Sequence, residues 1–175
     1  MVERFAEALQ GGHHNSLGRT EEVVAVVVAD PTRLEELFAV LAVSDELVRM
    51  RAGDALEKVC RQRPDWFLPH VDRIIGDIGA TEQPSVQWHV AQMLHHVRGD
   101  LPARQAPRAD ALLKRNLTRS TDWIVLNVTM DVLSEWAARD PVLARWLDPE
   151  LERLCQDPRK SVAKRAAKRL AELAE

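Results

Sequence analysis

Val48-Arg-Met-Arg-Ala-Gly-Asp-Ala-Leu-Glu-Lys-Val59 aligns without an internal gap with three later stretches of the same chain. These are Val86-Gln-Trp-His-Val-Ala-Gln-Met-Leu-His-His-Val97, Val125-Leu-Asn-Val-Thr-Met-Asp-Val-Leu-Ser-Glu-Trp136 and Val162-Ala-Lys-Arg-Ala-Ala-Lys-Arg-Leu-Ala-Glu-Leu173. Their starts lie 38, 39 and 37 residues apart. Prolines repeat with the same spacing: Pro64, Pro102 and Pro141 each follow the first valine of their stretch by 16 residues, and Pro31 precedes Pro64 by 33. Two rulers that agree on one period mark a repeat architecture.

Within each stretch the small or apolar positions recur at i, i+4, i+7, i+8 and i+11, as in Val48, Ala52, Ala55, Leu56 and Val59. That is one face of a 3.6-residue helix, not the alternation of a strand. Small residues such as Ala52, Ala55, Ala166 and Ala167 let neighbouring helices come close. Shorter amphipathic segments fill the intervals: Leu34 to Leu41, Phe67 to Ile78 (with Leu68, Val71, Ile74 and Ile75 on its face), Ala109 to Leu117, and Leu143 to Leu154. Cap-type residues predict the helix starts at Ser44 or Asp45, Ser85, Ser120 or Thr121, and Asp157 or Ser161, with Pro158 at a first helical position. Gly11 to Ser16 reads as a loop after a short N-terminal helix over about residues 3–10, and Gly99 to Pro107 as a second irregular connection. An amphipathic helix cannot bury its face alone, but pairs packed in register can. The expectation is one all-α domain over 1–175, an α-α superhelix of about four to five helical hairpins with repeat units over 18–175.

With 175 residues, 46% hydrophobic and 29% charged, the chain is long enough for a real core and too apolar for disorder. Cys60 and Cys155 stand far apart, outside any CxxC spacing, and both fall on apolar helix positions, which suggests buried thiols, not a disulfide or zinc framework. The N-terminus has no apolar segment of secretory length, and the run Val23 to Val28 is too short to cross a bilayer. A cytoplasmic protein with no membrane partner is expected. The formal net charge of -3 makes no general case for nucleic acid. The charge is uneven, however, with 10 basic and 16 acidic residues over 1–100 against 14 and 11 over 101–175. Two basic stretches stand out. One runs from Arg104 through Arg108, Lys114 and Arg115 to Arg119, and the other holds Arg159, Lys160, Lys164, Arg165, Lys168 and Arg169.

Asp45-Glu-Leu-Val-Arg-Met-Arg-Ala-Gly-Asp-Ala-Leu56 resembles the second helix of a HEAT repeat, in which a turn is followed by Val-Arg and then alanine, alanine and leucine at helical spacing. The match falls on Val48, Arg49, Ala52, Ala55 and Leu56. The last unit is similar at Val162, Ala166 and Leu170, with Ala163 in place of the arginine, while the units at Val86 and Val125 carry Gln87 and Leu126 there. This resemblance, over about residues 18–174, implies that the second helices line a concave face. Its surface columns would be Met50, Asp54, Glu57 and Arg61, then Trp88, Gln92 and His95, then Asn127, Asp131 and Ser134, then Lys164 and Lys168. Trp88 would be a binding anchor on that face or a filler of an inter-helix gap.

No motif announces catalysis. The glycines do not form a phosphate-cradling loop, and the serines lack a nucleophile elbow. His13-His14 and His95-His96 are adjacent pairs, whose side chains on a helix diverge by about 100°. His89 and His96 could share a face, yet no third ligand stands at metal spacing. Acid pairs such as Asp54/Glu57 and Asp131/Glu135 read as wetted helix surface. Neither a catalytic residue, a metal nor a cofactor is expected. The leading expectation is a scaffold or adaptor that binds a protein or peptide on the concave face. The alternative is a nucleic-acid-binding protein related in fold to the HEAT-like glycosylases that excise alkylated bases with aromatic and acidic residues on a basic surface. The chain holds Trp88, Trp123, Trp136 and Asp131, but none is assigned to a matching position, and the terminal basic helix would be its phosphate contact.

Overall fold

A computed structural model describes residues 3–13 and 16–173, and every regular element among them is helical. The chain divides into two compact units, Met1–Leu101 and Pro102–Glu175. The first holds α1 (Phe5–Ala8), α2 (Thr20–Ala29), a 3-10 turn at Pro31–Arg33, α3 (Leu34–Val40) and α4 (Glu46–Gln62). A helical run of changing pitch follows, made of a 3-10 segment Pro64–His70, α5 (Val71–Arg73) and a π-helical turn Ile74–Ile78, and then α6 (Pro84–Val97). The second unit holds α7 (Ala106–Arg119), α8 (Trp123–Ala137), α9 (Pro141–Leu154) and α10 (Lys160–Leu173).

All four repeated stretches are helices, each a little longer than its apolar pattern. In the first unit α4 packs against both α2 and α6, with α3 and the Pro64–His70 segment against it. In the second, α8 packs against α7, α9 and α10, and α9 against α10. The expected stripes Val48, Ala52, Ala55, Leu56, Val59 and Val86, Val90, Met93, Leu94, Val97 are buried throughout. Burying each such leucine or valine stabilises the fold by roughly 1.5–3 kcal/mol. Ala52, Ala55 and Ala166 occupy close contacts as expected, whereas Ala167 is exposed because α10 buries only its Val162–Ala166 side.

Aspartates set the helix starts more often than serines. Asp45 accepts from the backbone N–H groups of Leu47 and Val48, Asp122 from Ile124 and Val125, and Asp140 from Val142 and Leu143. Each satisfies donors that a helix start leaves bare. Ser85 and Ser161 lie inside their helices, α6 starting at Pro84 after Gln83 without a side-chain cap, and Ser120 supports the α8 cap by accepting from the Asp122 N–H. Asp157 folds the preceding turn by accepting from the Arg159 N–H, so α10 opens at Lys160 and not at Pro158.

The segment expected as one α-helix over Phe67 to Ile78 changes pitch instead. Pro64 and Pro69 lack N–H groups, and the tighter 3-10 winding covers that part; the wide π turn then takes up Ile74–Ile78. The change rotates the apolar face. Phe67, Val71, Ile74 and Ile78 are buried, while Leu68 and Ile75 are half-buried. The N-terminal helix is one turn, Phe5–Ala8, not residues 3–10. It is held by a bond from the Phe5 N–H to Glu36 Oε1 at 2.8 Å and by the Arg33 guanidinium lying over the Phe5 ring at 3.9 Å.

Arg51, the largest fully buried side chain, fixes the loop that follows. Its guanidinium donates to the carbonyl oxygens of Leu9 (2.7 Å), Gly11 (2.6 Å), His13 (3.1 Å) and Ser16 (2.9 Å). Among the described residues it has no carboxylate partner. Four carbonyl dipoles converging on one cation replace the water it has lost. Gly18, at φ +56°, passes so close that a Cβ there would stand 3.1 Å from Arg51 Cζ.

Candidate functional site

In the first unit the expected surface columns turn out to be largely covered. Asp54 and Glu57 are buried, Met50, Trp88, Gln92 and His95 are half-buried, and Arg61 alone is exposed. The buried groups tie helices together. Lys58 pairs with Asp54 at 2.9 Å and with Glu21 of α2, and Glu57 Oε1 meets His96 Nε2 of α6 at 2.8 Å. Burial pushes the Asp54 carboxyl up, only partly offset by Lys58. Burial also acts on Glu57, but the His96 bond and the nearby Arg61 charge outweigh it and hold the group below its ordinary value. Carboxylates pushed in opposite directions are the pattern of an acid–base pair. Here Lys58 and His96 stand across them, so both serve as ties between α2, α4 and α6.

His89 is the most buried polar group of this cluster after Arg51, and burial pulls its pKa down to about 3. Its ring lies against Gly53, where a Cβ would come within 3.0 Å of His89 Cδ2, and the Trp88 indole lies beside it with ring centroids 3.6 Å apart. Trp88 is half-buried and lies against His89 of its own helix. Among the described residues no group of three His, Cys, Asp or Glu stands close enough to hold a metal ion. His14 of the first histidine doublet lies outside the described residues. Cys60 is buried with its thiol pushed up to about 12, and Cys155 is half-buried, so only the first matches the expected buried thiol.

A different surface is formed in the second unit by α8 and α10. Because Asp122 is the cap, Trp123 becomes the first residue of α8 and projects outward, 50% exposed. One turn on, Asn127 is buried, and Asp131 follows on the same side. From α10 come Ser161, Lys164, Arg165 and Lys168, which together with Trp123 and Asn127 line an open cleft of about 470 Å³. A second cleft of about 520 Å³ lies at the other end of the same helices, between Glu135, Pro141, Arg169 and Leu173.

The terminal basic stretch is not the free cationic stripe the sequence suggests. Arg165 and Arg169 both pair with Asp131, Arg169 also with Glu172 at 2.9 Å, and Arg159 with Asp157 at 2.6 Å. Arg159 further donates to the Thr121 carbonyl, joining the start of α10 to that of α8. Lys168 has a longer pair with Glu172 at 3.6 Å. Among the described residues Lys160 and Lys164 have no acidic partner, and both are exposed. In the earlier basic stretch, Lys114 lies over the Trp146 ring at 4.7 Å. Ser134 and Asn127, placed by the sequence on the open column, are buried.

Trp123 was a generic aromatic in the sequence, although a signal was present. It falls two residues before the repeat valine Val125, off the buried stripe of α8, where a large apolar residue has no core to enter. Comparison with family models, with curated proteins and with solved structures yields no match. Among the described residues no helix is long and apolar enough to cross a membrane.

Proposed function

We propose that the chain is a HEAT-type helical-repeat binding module, an α-α superhelix acting in the cytoplasm as a scaffold or adaptor that holds a protein or peptide without catalysing a reaction. The observation that carries this reading is Trp123, half exposed at the mouth of the α8–α10 cleft. An indole left in water on a rigid helix is the kind of group that anchors partners. The repeat period supports the architecture, as do the contacts between consecutive repeated helices, α4 with α6 and α8 with α10.

Nucleic acid is the second reading, favoured by Lys160, Lys164 and Lys168 near an exposed aromatic. The pairing of Arg165 and Arg169 with Asp131 weighs against it, because a phosphate backbone would have to displace that carboxylate. The test is capture from native lysate at low and high salt, with and without nuclease, by the wild-type chain and by Trp123→Ala. A protein retained through nuclease and salt by the wild type, and lost by the variant, is the expected result. Retention only of nuclease-sensitive material, vanishing with salt, favours the second reading.

A further inference from the structure

We infer that the α8–α10 cleft takes an acidic peptide segment carrying an apolar side chain at its centre. The inference rests on the binding-module reading and names the chemistry of the partner.

Two features of the cleft converge. The indole of Trp123 offers an apolar platform. Lys164 and Lys168 line the cleft, and Lys160 stands one turn before them on α10; all three are exposed, and the first two of the row, Lys160 and Lys164, have no acidic partner among the described residues. Along the helix axis this row spans about 12 Å, the length of about four residues of extended peptide.

Charge sets the sign of the partner. The guanidinium groups on this face are engaged with Asp131, so the remaining attraction comes from separate lysine ammonium groups. Such groups suit a few carboxylates flanking an apolar residue. A continuous phosphate backbone would call on the forked donors that Arg165 and Arg169 have already committed.

The test titrates the full chain with a fluorescent ten-residue probe, Asp-Glu-Asp-Glu-Leu-Phe-Asp-Glu-Asp-Glu, and reads anisotropy. Three controls run beside it: the probe with every acid replaced by lysine, the probe with Leu-Phe replaced by Ser-Ser, and a ten-nucleotide single-stranded DNA. Saturable binding of the acidic probe is expected. Trp123→Ala should weaken it by about tenfold or more. Lys160→Glu with Lys164→Glu should weaken it by a similar factor while leaving the thermal transition in place, since both lysines are exposed. Failure of the acidic probe to bind, or binding indifferent to both variants, overturns the proposal. If the lysine probe binds equally well and depends equally on Trp123, acid selectivity is wrong while the binding-module reading stands. If only the DNA binds, both fall.

Discussion

Arg51 illustrates how one side chain can tie down chain segments far from it in sequence, at Leu9, Gly11, His13 and Ser16. Its guanidinium reaches four carbonyls between Leu9 and Ser16 from the middle of α4. Arg51→Ala removes every one of those donors and opens a void, so a loss of about 3 kcal/mol is expected in urea unfolding. Cleavage between residues 9 and 18 by limited proteolysis should also become faster. Arg51→Lys keeps the charge but not the planar fork, and should recover less than half of that loss. A change below about 0.5 kcal/mol for the alanine variant would mean that the loop contributes nothing to stability. In the sequence Arg51 reads as one more charge in Val-Arg-Met-Arg. Helical spacing places it three residues after Val48, on the core side, but the carbonyls that receive it lie 35 to 42 residues away. No local pattern marks them. Trp123 and Trp88 make the same point from the other direction. The sequence singled out Trp88, which packs beside His89, whereas the exposed indole is Trp123.

At the level of the helix pair, the α4–α6 contact depends on Gly53. A methyl group there would meet the His89 ring at 3.0 Å, tighter than nine in ten contacts of a Cβ, so the ring would have to give by a few tenths of an ångström. Two effects compete in Gly53→Ala. The gain in helix propensity is worth about 1 kcal/mol, and overpacking in a close contact costs about 1–3 kcal/mol. The ring is wedged beside Trp88 and cannot yield cheaply, so net destabilisation is expected, seen as a lower thermal midpoint. An increase in the midpoint would show that α6 shifts freely. Helix type and rough extent were legible for the four repeated helices and for α3, α7 and α9, because a 3.6-residue apolar period is a local property, but the helix Thr20–Ala29, the brevity of Phe5–Ala8 and the mixed pitch of Pro64–Ile78 were not. The exact starts were not. Asp122 won the cap position over nearby Ser120 and Thr121, Asp140 caps a helix whose start no serine or threonine marks, and the prolines of the Pro64–Ile78 run altered its pitch and so turned a different set of apolar residues inward.

Stability of the whole molecule should carry the mark of His89, since its ring is buried uncharged among Glu57, Lys58 and Gln92. Its pKa falls from an ordinary 6.5 in the unfolded chain to about 3 in the folded one. Between those values the unfolded chain binds a proton that the folded chain refuses. Stability is therefore complete above about pH 6.5 and declines as the pH falls toward 3. At pH 5 the loss from this group is about 2 kcal/mol. Glu57, held low, adds a loss of the same sign at lower pH; Asp54, pushed up by burial, acts in the opposite sense, gaining stability as it protonates. His89→Phe keeps a ring against Gly53 without the titration, and its denaturation midpoint should change much less between pH 7 and pH 5 than that of the wild type. Equal slopes for the two would show that His89 takes up a proton freely when folded. The amino-acid sequence by itself determined that this chain is helical, that its longer helices repeat with a period near 38 residues, and which apolar side of the repeated helices faces inward, because periodicity and proline spacing are encoded residue by residue along the chain. Only the tertiary structure decided which polar groups are free. Glu57, Lys58, Arg165 and Arg169 look like wetted surface in the sequence and become paired, since their partners His96, Glu21 and Asp131 come from helices more than 30 residues away, and Asp54 is buried beside Lys58 by the same packing. Burial and charge pairing are properties of two elements in contact, and one helix's pattern cannot contain them.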